Sequence, residues 1–259
     1  MDRNIQTRAI VLSVRKYGEL HKAVTILSPD LGLVDAIIFG GRKGKKTALA
    51  PLFSISTLQL YHNPLKKEYS VTEGESSFIP QAITEDLACT YTASFFCEII
   101  SKTPTDEPEQ TFNLLSDALT ALEADCGARK RITAAFIWKL MQISGTAPDL
   151  EYCPVCDRRY ADDETLFFSN PMNTPCCKSC SDSEYIVLMP GSRRYLRYTM
   201  GMDFAPQHLW SLILRRSSAF TYTCSDGPLC SLRHSCGPST TFSHSDHRPL
   251  RNPSFVSLG

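Results

Sequence analysis

The chain has no apolar run approaching the roughly 20 residues that a helix needs to cross a bilayer, so no membrane span is expected. Its first residues, Met1-Asp2-Arg3-Asn4, lack the apolar core of a secretory signal. It has no excess of either charge: 27 basic and 27 acidic residues cancel, so whole-chain charge selects no partner. It also lacks HExxH, GxSxG and GxGxxG, which removes the common zinc protease, serine hydrolase and dinucleotide-binding designs. The residue two beyond each histidine is never Glu, so the proton-shuttling His-x-Glu of nucleobase deaminases is missing. With no catalytic constellation in sight, a binding protein is expected rather than an enzyme. The last 43 residues, 217–259, contain no Lys, no Glu and no sustained apolar period. Such a composition buries little surface and reads as a disordered tail.

Cysteine, by contrast, is plentiful. Eleven is an odd number, and four of them form two CxxC pairs, Cys153-Pro154-Val155-Cys156 and Cys177-Lys178-Ser179-Cys180. Two chelating turns joined by a loop of this length can wrap one tetrahedral zinc with four thiolates. A complete thiolate shell leaves no place for a water, so the metal would be structural. Cys176 adjoins Cys177 and could replace it, and four free thiols or two disulfides are the plainer alternatives. Pairing of this kind without an export signal points to a reducing, cytoplasmic setting. Asp162-Asp163-Glu164 falls inside the loop and is expected to be a solvated turn. Cys224, Cys230, Cys236 and His234 fit no standard ligand spacing.

Periodicity suggests an α+β organisation. Residues 7–14, 21–28, 33–39, 54–61 and 68–72 are short, rich in β-branched or alternating residues, and separated by turn signals such as Pro29-Asp30-Leu31-Gly32 and Asn63-Pro64. Five strands in this space suggest a small closed barrel of the oligonucleotide-binding (OB) type, with an SH3-like barrel as the alternative. After Pro80 the period becomes helical. Ile83, Leu87, Tyr91, Phe95 and Ile99 form one expected apolar stripe, Phe112, Leu115, Leu119 and Leu122 a second, and Ile132, Phe136, Leu140 and Ile143 a third that Gly145 stops. The expected order is an OB barrel over 1–79, a helical bundle over 80–150, a four-cysteine module over 151–185, a return to the bundle over 186–216, and the 217–259 tail.

Charge is unevenly spread. Residues 1–80 hold eleven basic against seven acidic groups, and residues 81–150 five against ten. Gly40-Gly41-Arg42-Lys43-Gly44-Lys45-Lys46 packs four cations among three glycines and lacks the GKS/T ending of a P-loop. Glycines let a backbone approach a polyanion, and the cations neutralise phosphates and release counterions. With Arg15, Lys16 and Lys22 on the same barrel, this loop is the candidate nucleic-acid site: Arg15, Lys16, Lys22, Arg42, Lys43, Lys45 and Lys46. Its plainer reading is a solvated hairpin tip. Tyr17, Phe39, Phe53 and Tyr61 lie nearby, and of these only Tyr17, in a turn, is expected to reach a base.

Three stretches resemble the RecO family of bacterial recombination mediators. They are Ala9-Ile10-Val11-Leu12 with Tyr17-Gly18-Glu19; Gly41-Arg42-Lys43 leading to Leu52-Phe53-Ser54 and Leu58-Gln59-Leu60-Tyr61; and Phe136 to Leu140, then Gly145, Pro148-Asp149-Leu150 and Cys153 to Cys156. The resemblance covers about residues 5–200. It implies an OB barrel, a helical domain and a zinc module. It further implies binding of single- and double-stranded DNA, annealing of complementary strands, and help to RecA, indirectly, in displacing single-strand-binding protein. RecR is the implied partner, with the acidic tail of single-strand-binding protein docking on the helical domain. Arg129, Lys130 and Arg131, beside Ile132 and Phe136, are the candidate contact for such a tail. Thr146 stands where the family often has Tyr, and past about Ser211 the chain resembles nothing in the family, as a frameshifted or diverged end would. The competing class is a zinc-bearing OB protein that serves RNA or translation.

Overall fold

The computed structural model describes residues 3–66, 68–103 and 106–200; the 217–259 tail, its four candidate ligands and the 201–216 part of the expected bundle return lie outside the described residues. Five strands open the chain: β1 (Asn4–Tyr17), β2 (His21–Ser28), β3 (Gly32–Ile38), β4 (Ile55–Asn63) and β5 (Glu68–Phe78). They close into a barrel in the order β1-β2-β3-β5-β4. All neighbours are antiparallel except β3 and β5, which pair in parallel at Ala36–Tyr69 and Ile37–Ser70. That closure is the OB arrangement, and it decides against the SH3-like alternative. β1 and β5 run longer than their apolar cores suggest; in β5 the polar stretch Glu73 to Ser76 still pairs with β4.

Alternation along β1 serves two cores. Ala9 and Val11 point into the barrel with Val24, Ile26, Val34, Ala36, Ile38, Leu58, Leu60 and Val71. Ile10 and Leu12 belong instead to the core shared with the helices, together with Leu27 and Phe53. A shift in register between Val11 and Ser13 marks a bulge at the change of surroundings. Phe53 is the plug between the two layers. It is 1% exposed, its N–H donates to the Val11 carbonyl at 2.9 Å, and its φ is +62°.

Four helices follow: α1 (Gln81–Glu85), α2 (Leu87–Lys102), α3 (Pro108–Ala124) and α4 (Arg129–Ile143). Glu123 of α3 accepts the first three N–H groups of α1, those of Gln81, Ala82 and Ile83, at 2.9 to 3.0 Å. These donors have no partner within their own helix. Asp86 is extended and caps α2 by accepting the Cys89 N–H at 2.8 Å. Gly145 ends α4 at φ +68°, and the Thr146 N–H turns back to the Met141 carbonyl at 2.8 Å, a C-terminal lock that needs a residue without Cβ strain.

The expected α2 stripe is corrected here. Leu87, Tyr91 and Phe95 are 68%, 67% and 40% exposed, while Cys89, Ala93, Phe96, Cys97 and Ile100 are buried. The extended backbone at Asp86 resets the helical phase, so a four-residue count carried across it from Ile83 selects the wrong face. Small residues, Cys89, Ala93 and Cys97, let α2 approach its neighbours, and the Phe96 and Phe136 rings stack at 4.2 Å. Cys89 is also joined to Cys126 in a disulfide with Cα atoms 5.9 Å apart, a pairing that nothing in the cysteine spacing announced.

Beyond α4 come β6 (Leu166–Ser169), β7 (Thr174–Cys176) and β8 (Ser183–Leu188), a small sheet in the order β7-β6-β8, and then α5 (Pro190–Met200). Among the described residues no helix is long and apolar enough to cross a membrane.

Candidate nucleic-acid interface and metal centre

The four paired cysteines converge. The Sγ atoms of Cys153, Cys156, Cys177 and Cys180 all lie within 4.8 Å of one another, and those of Cys156 and Cys177 are 3.8 Å apart. A tetrahedral ion with bonds of about 2.3 Å sets its sulfurs about 3.8 Å apart, so the donor set fits a metal such as zinc. Cys176 is buried within β7 and lies outside this cluster, so the sulfur that joins the other three is that of Cys177. Local backbone builds each chelating turn. The Asp157 N–H returns to the Cys153 carbonyl at 2.8 Å, with Asp157 at φ +56°, and the Cys180 N–H returns to the Cys177 carbonyl at 3.0 Å. Asp tolerates that left-handed conformation better than most residues.

The electrostatics divide the sulfurs: Cys177 and Cys153 are lowered, whereas hydrogen bonds with Cys177 and Cys156 push the Cys180 thiol up to about 12. For Cys177 burial pushes the thiol up, but hydrogen bonds from Ser179 and the neighbouring cysteines outweigh it and bring it down to about 6. Cys153 is likewise opposed by burial and lowered on balance by the backbone N–H groups of Cys177, Cys156 and Val155. Arg158 grips Glu164 through both guanidinium nitrogens and also contacts Cys177. Glu164 accepts the Ala161 N–H at 3.0 Å as well. The 162–164 run is therefore not merely a solvated turn: Glu164 is a structural brace, whereas Asp162 is 92% exposed beside Arg197. Arg193 of α5 reaches into this module at 1% exposure, donating to the carbonyls of Ala161 and Glu164.

The basic residues gather at one end of the barrel, and the structure supplies the clamp that the sequence does not spell out. The Arg42 N–H donates to the Leu20 carbonyl at 3.1 Å, and its guanidinium donates to the Glu19 carbonyl at 2.8 Å. Lys22 Nζ donates to the Thr47 carbonyl at 2.8 Å, and the Gly40 N–H donates to His21 Nδ1 at 3.0 Å. The β1–β2 hairpin tip and the β3–β4 loop are thus tied into one unit. Lys43, Lys45 and Lys46 flank or lie in a 3-10 turn over Gly44–Ala48, although the Lys45 side chain is outside the described part. Lys16 faces Lys22 across β1 and β2. Arg15 makes an exposed 3.6 Å contact with Asp35. Arg42 and Lys22 therefore hold the loop in place, while Lys16, Lys43 and Lys46 carry no ion pair among the described residues.

Two readings of individual residues change. Phe53 offers no free ring, being buried, and Tyr61 is half-buried, but Phe39 is 50% exposed at the same end as Tyr17, and residue type alone could not separate it from core. In α4, Lys130 and Arg131 are exposed and Arg129 is half-buried, its guanidinium 3.4 Å from the Cys126 carbonyl. Ile132 and Phe136, the apolar stripe read beside them, are 6% and 0% exposed and belong to the core. The apolar end of a docking peptide has no seat on those two side chains.

Comparison with known proteins agrees with this architecture. Residues 1–78 match the family described as recombination protein O N terminal, and residues 84–217 match recombination protein O C terminal. DNA repair protein RecO of Alkaliphilus metalliredigens is 29% identical over 181 residues, covering 68% of this chain and 72% of the relative. The protein of the same name from Rubrobacter xylanophilus is 28% identical, covering 77% of this chain and 82% of its own length. That of Bacillus velezensis is 29% identical over 197 residues, covering 73% and 74%. A closed OB barrel, a helical layer and a four-cysteine cluster, matched in this order by both family halves, place the chain in the RecO family of DNA repair proteins.

Proposed function

We propose that this protein is a DNA-binding recombination mediator: it binds single- and double-stranded DNA, anneals complementary strands, and assists RecA loading onto DNA coated with single-strand-binding protein. The observation that carries the proposal is the clamped basic end of the barrel, in a chain whose family is RecO. Arg15, Lys16, Lys22, Arg42, Lys43, Lys45 and Lys46 would meet phosphates, and such contacts position a strand without reading its sequence. Annealing needs this indifference, because two strands must be held by their backbones while their bases search for partners. No nucleotide or covalent step is required.

The four thiolates would hold one zinc, which supplies a cross-link between the 153–156 and 177–180 turns and no reactive site. RecR and the acidic tail of single-strand-binding protein are the proposed partners, the tail meeting Lys130 and Arg131 with Arg129 beside them, in a cell compartment where the nucleoid is accessible. The test is annealing of complementary oligonucleotides precoated with single-strand-binding protein. Acceleration by the purified protein without nucleotide is expected. Equal rates with and without it would end the mediator reading.

A further inference from the structure

The outer face of β1, β2 and β3 is divided. At one end Ile10, Leu12 and Leu27 are covered by the helices. At the other end the same face stays open, and its side chains fall in rows set by the strand register. Ser13, Thr25 and Asp35 form one row, linked by hydrogen bonds of 3.1 and 2.6 Å; Arg15, Ala23 and Ile37 form the next. Tyr17 pairs with His21, and Ile38 pairs with Lys22, so Phe39 stands level with His21 in the last row. The His21 ring lies 6.5 Å from Tyr17 and 5.2 Å from Phe39, edge-on to the latter at 77°. Tyr17 is 48% exposed and Phe39 50%.

We propose that Tyr17, His21 and Phe39 form a platform on which the bases of single-stranded nucleic acid stack, an inference that rests on the DNA-binding reading and gives that site its strand preference. Three features support a ligand made of bases and phosphates. The His21 ring is held before binding, since the Gly40 N–H bonds its Nδ1 at 3.0 Å, and strand pairing sets the backbone that carries Tyr17 beside it, so less freedom is lost on stacking. Cations lie close by: Arg15 stands in the adjoining row of the same face, Arg42 is anchored on Glu19 in the hairpin tip, and Lys16 and Lys22 alternate to the other face at the same end of the sheet. The adjoining chain is bare: a Cβ added at Gly18 or Gly40 would meet nothing within 4 Å, leaving room for a sugar–phosphate backbone to approach. Aromatic faces with cations close by bind any base, because every base has a π-face. Duplex DNA keeps its bases stacked on each other, so it would use the cations and not the rings.

The test measures binding of the full chain to a labelled oligo-dT, to an abasic strand of equal length, and to a blunt duplex. The double variant Tyr17→Ala with Phe39→Ala is expected to lose about tenfold per ring on oligo-dT. Its binding to the abasic strand and the duplex, and its salt dependence, should match the unmodified protein. Tyr17→Leu with Phe39→Leu keeps apolar cover, guards against misfolding, and should show the same selective loss. Unchanged oligo-dT affinity in the Leu pair, or an equal loss on all three probes, would overturn the platform. If the unmodified protein binds oligo-dT and abasic strand equally, with normal salt dependence, the platform fails while the basic-loop reading stands. If it binds none of the probes, both fall together.

Discussion

Salt titration of DNA binding separates the cations that grip phosphate from those that hold the loop. Lys43 and Lys46 make no ion pair among the described residues and sit at the clamped end of the barrel, so Ala there removes charge with little structural change. Arg42 and Lys22 each donate at 2.8 Å to a backbone carbonyl of the neighbouring loop, so Ala there removes charge and also loosens the clamp. Each lost phosphate contact should lower the log–log slope of affinity against salt by about 0.7 on single strands and about 0.9 on duplex. The Lys43→Ala, Lys46→Ala pair should therefore flatten the single-strand slope by about 1.4 and leave the melting temperature alone. Arg42→Ala should flatten it by about 0.7 and also cost about 1 kcal/mol of stability, the worth of one surface-accessible hydrogen bond. Fluorescence anisotropy from 50 to 300 mM salt, paired with urea unfolding, provides both readouts. An unchanged slope in the double-lysine variant would mean that these cations only solvate a hairpin, and the basic-end reading would be wrong.

Other outcomes follow from single sites. Cys177→Ser should strip the metal and unfold the region around residues 151–188, because structural zinc contributes about 10 kcal/mol or more of apparent binding energy, whereas Cys176→Ser should keep it; metal content by mass spectrometry decides, and the reverse pattern would exchange their roles. Phe53→Ala should cost about 3–5 kcal/mol in urea unfolding, and Phe53→Gly should be less damaging than Ala by about 1 kcal/mol, since φ +62° strains any side chain; Ala outperforming Gly would refute the strain. Burial pushes Asp117 from 3.8 up to about 6, so the folded state holds this proton more tightly and stability falls as pH rises from about 4 through about 6. Asp117→Asn should recover up to about 1 kcal/mol at pH 8 and nothing at pH 4, a figure reduced because the carboxyl is half exposed; equal gains at both pH values would refute it. Arg129→Glu with Arg131→Glu should weaken binding of the tail peptide of single-strand-binding protein about tenfold in calorimetry and spare naked DNA, and equal peptide affinity would remove this contact.

Much of the site was readable along the chain because its causes are local. A CxxC turn is defined by four consecutive residues, and two of them at this spacing pick out a candidate donor set, so convergence of the Cys153, Cys156, Cys177 and Cys180 sulfurs, without Cys176, is what the fold added. Strands from His21 and from Glu68 announced themselves through alternation and turn residues, and Gly145 marked the end of α4 because only glycine takes φ +68° without strain. Three matters were decided only in three dimensions. Which face of α2 is buried was ambiguous, since Leu87-Tyr91-Phe95 and Cys89-Ala93-Phe96-Ile100 both recur at helical spacing, and close approach to neighbouring elements favours the face with the smaller side chains. Which barrel aromatics are free depends on where the helices cover the sheet: Phe53 and Phe39 are the same residue type in similar surroundings along the chain, yet one is a plug and the other half open. And whether scattered cations act together depends on loop-to-loop hydrogen bonds such as Arg42 to Glu19 and Lys22 to Thr47, between residues more than twenty positions apart, which no local pattern encodes.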